Sequence, residues 1–194
     1  MIIGITGGTG CGKTTLLDMI RDMGGLVLDC DAVYHQLLKT DQMLLSAIDS
    51  RFPGCVENGE LNRKKLGAIV FADQAALLDL NAITHSAVKR EVEAQLASMP
   101  ALAAIDAIGL FEGGLAPLCQ VTVAITAPRE TRIARLMARD SIDRSYAEKR
   151  IDAQKPESWF RENCNHVLEN NGTLEQFQQK CLAFLRNLNI MKAE

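Results

Sequence analysis

Apolar positions along the chain alternate between two rhythms. Met1–Thr6 is an uncharged, β-branched run, the pattern of a short buried strand. A glycine-rich turn follows, and then Leu17, Ile20 and Met23 recur at helical spacing within 14–23. The same change of period repeats down the chain. Leu26–Cys30, Ala101–Ile108, Val121–Thr126 and His166–Glu169 read as four further strands. Helices are expected over 33–39, 42–51, 62–71, 73–98 with a break near Thr84, 128–139, 146–154 and from Thr173 to about Leu188. The stretch 52–60 carries Pro53, Gly54 and Gly59 and reads as a loop. Asn62 and Asp73 suit N-caps, and Ser145/Glu148 and Thr173/Gln176 have capping-box spacing. Strands that alternate with helices predict an α/β fold around a five-stranded parallel sheet.

The best-defined chemical signal is Gly7-Gly8-Thr9-Gly10-Cys11-Gly12-Lys13-Thr14, which fits G-x-x-x-x-G-K-[ST] between a predicted strand and a predicted helix. Glycines leave room for backbone to wrap a phosphate, and the exposed N–H groups form an anion nest at a helix N-terminus. Gly8, Thr9, Gly10, Cys11, Gly12, Lys13, Thr14 and Thr15 are therefore the candidate nucleotide-phosphate contacts. Lys13 supplies charge at the β/γ oxygens, and the Thr14 hydroxyl is the candidate Mg²⁺ ligand. Cys11 reads as a small spacer. The alternative is a thiol activated by the helix N-terminus and open to oxidation.

Net charge is −3, which gives no global basic footprint for nucleic acid. The segment 129–161 nonetheless carries nine Lys/Arg against six Asp/Glu. It reads either as a solvated surface or as a cationic cover over an anionic ligand. Six cysteines without a C-x-x-C pair, no leader pattern and no apolar run of membrane-spanning length point to the cytoplasm.

A phosphate loop does not specify a reaction. Asp106-x-x-Gly109 matches a GTPase element, but no N-K-x-D accompanies it, and the match reads as chance. A kinase additionally needs a base. Strand alternation through Asp29-Cys30-Asp31 places both carboxylates on one side, with Asp31 at the carboxyl end where α/β sheets hold ligands. Asp31 suits a base or orienter of an acceptor hydroxyl, and also an N-cap for the following helix. Arg132, Arg135 and Arg139 precede a candidate lid over about 140–163.

Laid end to end, these elements resemble the dephospho-CoA kinase family over nearly the whole chain. GITGGTGCGKTT is similar to that family's loop, VLDCDAVYHQLL to its D-x-D segment, GELNRKKLGAIVFAD to its N-R…V-F-A stretch and LNAITHS to its L-N-x-x-x-H element. DAIGLFE, ETRIARLMARD and VLENNGT resemble later family segments, the last near the adenine site. Ser86, Gly109, Phe160, Asn163 and Asn165 depart from the pattern.

The resemblance implies a three-layer P-loop kinase fold in one domain. Its core would cover 1–59, 99–139 and 164–194, with an acceptor-binding helical region at about 60–98 and a lid at about 140–163. It implies transfer from Mg-ATP to the ribose 3′-hydroxyl of dephospho-CoA. Lys13, Asp31 and Arg139 would be catalytic. Arg161 and Asn170 would join the ATP contacts, and Asp31, Arg63 and His85 would place the acceptor. No nucleic-acid or membrane partner is implied, and the chain would be a monomer or weak homo-oligomer. A kinase for a nucleoside or sugar, or a nucleotide-dependent switch, is the competing reading.

Overall fold

The computed structural model of the protein describes residues 1–98 and 100–190. In chain order the elements are β1 (Ile2–Thr6), α1 (Lys13–Asp22), β2 (Leu26–Asp29), α2 (Cys30–Thr40), α3 (Gln42–Arg51), β3 (Val56–Glu57), β4 (Glu60–Leu61), α4 (Arg63–Val70), α5 (Gln74–Leu96), β5 (Ala103–Asp106), β6 (Val121–Thr126), α6 (Arg129–Asp140), α7 (Arg144–Asp152), α8 (Glu157–Asn163), β7 (His166–Glu169) and α9 (Leu174–Asn187). They form two compact units.

The first unit comprises Met1–Val27, Pro100–Leu110 and Pro117–Glu194. It is organised on a five-stranded parallel sheet of order β2-β5-β1-β6-β7. Here β1 lies between β5 and β6, with Ile3 opposite both Ala104 and Val121. Ile3, Ile5, Ala104, Val123 and Ile125 are fully buried, as expected of strands covered on both faces. Leu16 and Ile20 of α1 and Phe177 and Leu185 of α9 complete this core. The Thr173/Gln176 capping box is present and opens α9.

α6 and α7 have a small apolar cluster of their own, built from Ile133, Leu136, Ala147 and Ile151. Ion pairs surround it: Arg129–Asp152 at 2.5 Å, Arg144–Glu130 at 2.8 Å and Arg150–Asp140 at 2.5 Å. α7 is capped by Asp143, which accepts from the Tyr146 amide at 2.7 Å. This replaces the expected Ser145/Glu148 box: the helix starts at Arg144, so Ser145 already lies inside it.

The second unit comprises Leu28–Met99 and Phe111–Ala116. α2, α3 and α4 all pack on the long helix α5. The break expected near Thr84 is absent. Its hydroxyl instead donates to the Leu80 carbonyl at 2.9 Å, satisfying a buried polar group inside the helix. The stretch expected as a loop, 52–60, runs into a tight antiparallel hairpin of β3 and β4, with Val56 opposite Leu61. Asn58 and Gly59 both have positive φ, the backbone a two-residue type I′ turn needs. Two-residue strands are too short to leave an alternation signal.

Candidate active site

Helix α1 differs from its neighbours at its start. Gly12 stands at the N-cap in the left-handed region, with no side-chain cap bond, and the first turn carries no acid. By contrast α2, α3, α4, α5, α7 and α9 each have a side-chain cap. With no side-chain cap and no first-turn acid, the positive end of the α1 dipole is left for an external anion. The loop before it requires glycine by geometry. Gly7 has φ +130, and a Cβ there would lie 2.2 Å from the Ile125 carbonyl oxygen.

The loop is held from behind through its carbonyls. Arg132 Nε donates to the Thr9 carbonyl at 2.9 Å. Arg135 Nη1 donates to the Gly10 and Cys11 carbonyls, both at 3.3 Å. Asn170 is buried; its Nδ2 also donates to the Cys11 carbonyl, at 2.9 Å, while its Oδ1 accepts from Arg135. Gln154 accepts from the Thr9 amide at 2.9 Å and from Arg132 at 3.0 Å. Two guanidinium charges therefore stand behind a neutral loop and raise the potential at its anion-binding face. Burial draws the Arg132 pKa below its usual value.

Lys13 Nζ lies 3.4 Å from the Gly7 carbonyl and 3.7 Å from the Asp106 carboxylate. Asp106 ends β5, the strand beside β1. Sequence reasoning set it aside as a chance match. The available signal was an acid closing a buried apolar strand next to the loop's own strand. Thr14 is exposed on the first turn of α1. Among the described residues no three His, Cys, Asp or Glu converge on a metal position. Mg²⁺ takes one or two protein oxygens and fills its shell with water and substrate phosphates, and the Thr14 hydroxyl and Asp106 carboxylate are oxygens of that kind.

Cys11 is 1% exposed, and burial raises its thiol pKa against the opposing pull of Lys13 and Arg132. Desolvation outweighs the helix terminus, which goes against the alternative of an activated, oxidisable thiol and accords with the reading of Cys11 as a small spacer.

Arg139 is exposed and pairs with Asp140 at 2.7 Å, one turn beyond Arg135, which does reach the loop. Arg161 bridges Glu157 and Glu169, each at 2.6 Å. These three side chains line a cleft of about 230 Å³ with Thr126, Pro128 and Asn171. The Arg161 hydrogen bond holds the Glu169 carboxyl below its usual range. Phe160, a departure from the family pattern, is buried beside the loop and lines a small gap with Gly8, Cys11 and Arg132.

In the second unit, Asp29 is the N-cap of α2 and accepts from the amides of Asp31 and Ala32 at 2.9 and 3.0 Å. Two expectations are corrected here. Asp31 is not the cap, and strand alternation does not relate it to Asp29, because the helix begins at Cys30. Asp31 is exposed in the first turn, and its carbonyl accepts from His35 Nδ1 at 2.7 Å. Arg63 begins α4 and is exposed; its charge partly offsets the upward push of burial on the Tyr34 pKa. His85 is half-buried on α5.

A family model described as dephospho-CoA kinase matches residues 1–176. The chain belongs to the dephospho-CoA kinase family. A dephospho-CoA kinase of Syntrophotalea carbinolica is 33% identical, the match covering 97% of this chain and 92% of that protein. Another of Thermus thermophilus is 35% identical with the same coverage. A solved Thermus thermophilus structure superposes with a TM-score of 0.80 at 35% identity, covering 97% of each chain. A shikimate kinase of Bacteroides thetaiotaomicron shares the fold, with a TM-score of 0.57 at 14% identity. The three-layer α/β P-loop kinase fold expected from the sequence is the one found.

Proposed function

We propose that the chain transfers the γ-phosphoryl group of ATP to the ribose 3′-hydroxyl of dephospho-CoA, giving coenzyme A and ADP. The observation that carries this is the uncapped α1 terminus behind a carbonyl-clamped phosphate loop, in a chain of this family. The loop, Gly8 to Thr15, cradles the ATP phosphates, with the Thr9 amide held by Gln154 and the Cys11 amide by the Gly8 carbonyl. Lys13 leaves Asp106 for the β/γ oxygens and neutralises charge as it develops. Thr14 and Asp106 are the residues that would hold Mg²⁺, which supplies electrostatic neutralisation between the phosphates.

Asp31 orients the acceptor hydroxyl and takes its proton as the new O–P bond forms and the bond to the β-phosphate oxygen breaks. Arg63 and His85 place the acceptor. Arg161 and Asn170 serve the nucleotide side, Asn170 by fixing the Cys11 carbonyl. Arg139 would reach phosphate only by leaving Asp140. The division into a core, an acceptor region at about 60–98 and a lid at about 140–163 belongs to this reading, the lid excluding water from the transfer.

Among the described residues no helix is long and apolar enough to cross a membrane. A cytoplasmic location is supported by six cysteines that form no disulfide among the described residues. The reading takes the enzyme as a monomer or weak homo-oligomer.

The test is mass spectrometry of dephospho-CoA incubated with Mg-ATP and the protein, with Lys13→Ala as control. A product heavier by one phosphate, formed only by wild type, is the expected result. ATP binding with unmodified dephospho-CoA would leave the loop and remove the acceptor.

A further inference from the structure

Thr9 has both its amide and its carbonyl engaged by side chains from outside the loop. Its carbonyl accepts from Arg132, its amide donates to Gln154 Oε1, and Arg132 Nη2 donates to that same oxygen. The three groups close a ring. Gln154 follows α7 directly, beyond its C-cap Ala153. α7 is fixed to α6 by the apolar cluster and the Arg129–Asp152, Arg144–Glu130 and Arg150–Asp140 pairs. A movement of α7 therefore pulls on Gln154, and Gln154 pulls on the backbone of the phosphate loop.

We propose that Gln154 is a positioning residue that couples the segment 140–163 to the phosphate loop, setting the Thr9 backbone and the Arg132 guanidinium together. The coupling runs through the acceptor atom Oε1. A neutral carboxamide suits this place: it orients Arg132 without cancelling its charge, and that charge stays available to an anionic ligand. The inference rests on the phosphoryl-transfer reading for its kinetic consequence but not for its structural one.

The experiment compares Gln154→Met, which keeps the length and removes the acceptor, with Gln154→Glu, which keeps an acceptor oxygen. Hydrogen exchange at the Thr9 amide in the nucleotide-free protein is the first readout. It needs no acceptor substrate, so failure of the proposed activity leaves it intact. Thr9 should exchange about tenfold faster in Gln154→Met and near the wild-type rate in Gln154→Glu.

In turnover, Gln154→Met should lower kcat about tenfold, with KM for dephospho-CoA within about twofold, and raise the share of ATP lost to water. Gln154→Glu should recover most of kcat while raising KM for ATP, because its carboxylate competes for Arg132. Thr9 exchange in Gln154→Met at the wild-type rate would overturn the proposal. So would equal loss of kcat in both variants, or a fall in kcat without any increase in ADP released per acceptor phosphorylated. A change in thermal midpoint alone, with exchange and kinetics as in wild type, would reduce Gln154 to a packing residue and likewise overturn it.

Discussion

Around the phosphate loop, side chains from α6, the segment after α7 and the segment after β7 reach backbone atoms of Thr9, Gly10 and Cys11. In the second unit Asp31, Arg63 and His85 stand on three helices, α2, α4 and α5, with Asp31 and Arg63 exposed. The side chains of the first region hold backbone, which on the proposed reading would meet the ligand through fixed dipoles. The second offers side-chain tips on a helical frame. Phosphate recognition costs little reorganisation when the donors are already placed. On the proposed reading, acceptor recognition by Asp31 and Arg63 would leave specificity to these exposed tips. Changes in the first unit should therefore act on ATP and on the transition state, and changes in the second on the acceptor step.

The largest expected effect is that of Lys13→Ala, which removes a charge aimed at the transferring group. We expect kcat to fall about a thousandfold with an unchanged far-ultraviolet circular dichroism spectrum. A rate above a tenth of wild type would contradict the assigned role. Asp31→Asn comes next: kcat should fall about a hundredfold while the Kd for Mg-ATP, measured by calorimetry, stays within about twofold. Weakened ATP binding in that variant would erase the proposed division of labour.

Arg135→Met tests the clamp, since it strips donors from the Gly10 and Cys11 carbonyls and from Asn170. KM for ATP should rise about tenfold with KM for dephospho-CoA nearly constant. The smallest effect is that of Asp143→Ala, which removes the α7 cap. It should cost about 1 kcal/mol and lower the thermal midpoint by about 2–4 °C in a scanning experiment.

The sheet was legible because each strand is a short apolar run, and β1, β2, β6 and β7 lie within a residue or so of their expected spans. Caps that act locally were also legible, as at Asn62, Asp73 and Thr173, since their bonds close within three residues. The misplaced features were those with two local solutions. Asp29 and Asp31 both suit an N-cap, and only the helix start at Cys30 decides between them. Asp143 and Ser145 compete in the same way before α7. Arg132, Arg135 and Arg139 all stand on one helix, and the sequence does not rank them; packing sends two of them to the loop and leaves the third at Asp140.

By itself, then, the order of residues determined the phosphate loop, its flanking strand and helix, and the parallel α/β sheet, because each rests on contacts or conformations within a few residues. The pairing of Lys13 with Asp106, 93 positions apart in the chain numbering, was settled only by tertiary structure. So were the burial that quiets Cys11 and the ring joining Thr9, Arg132 and Gln154. Electrostatics and burial depend on distance through space, and that distance exists only once the strands and helices have packed.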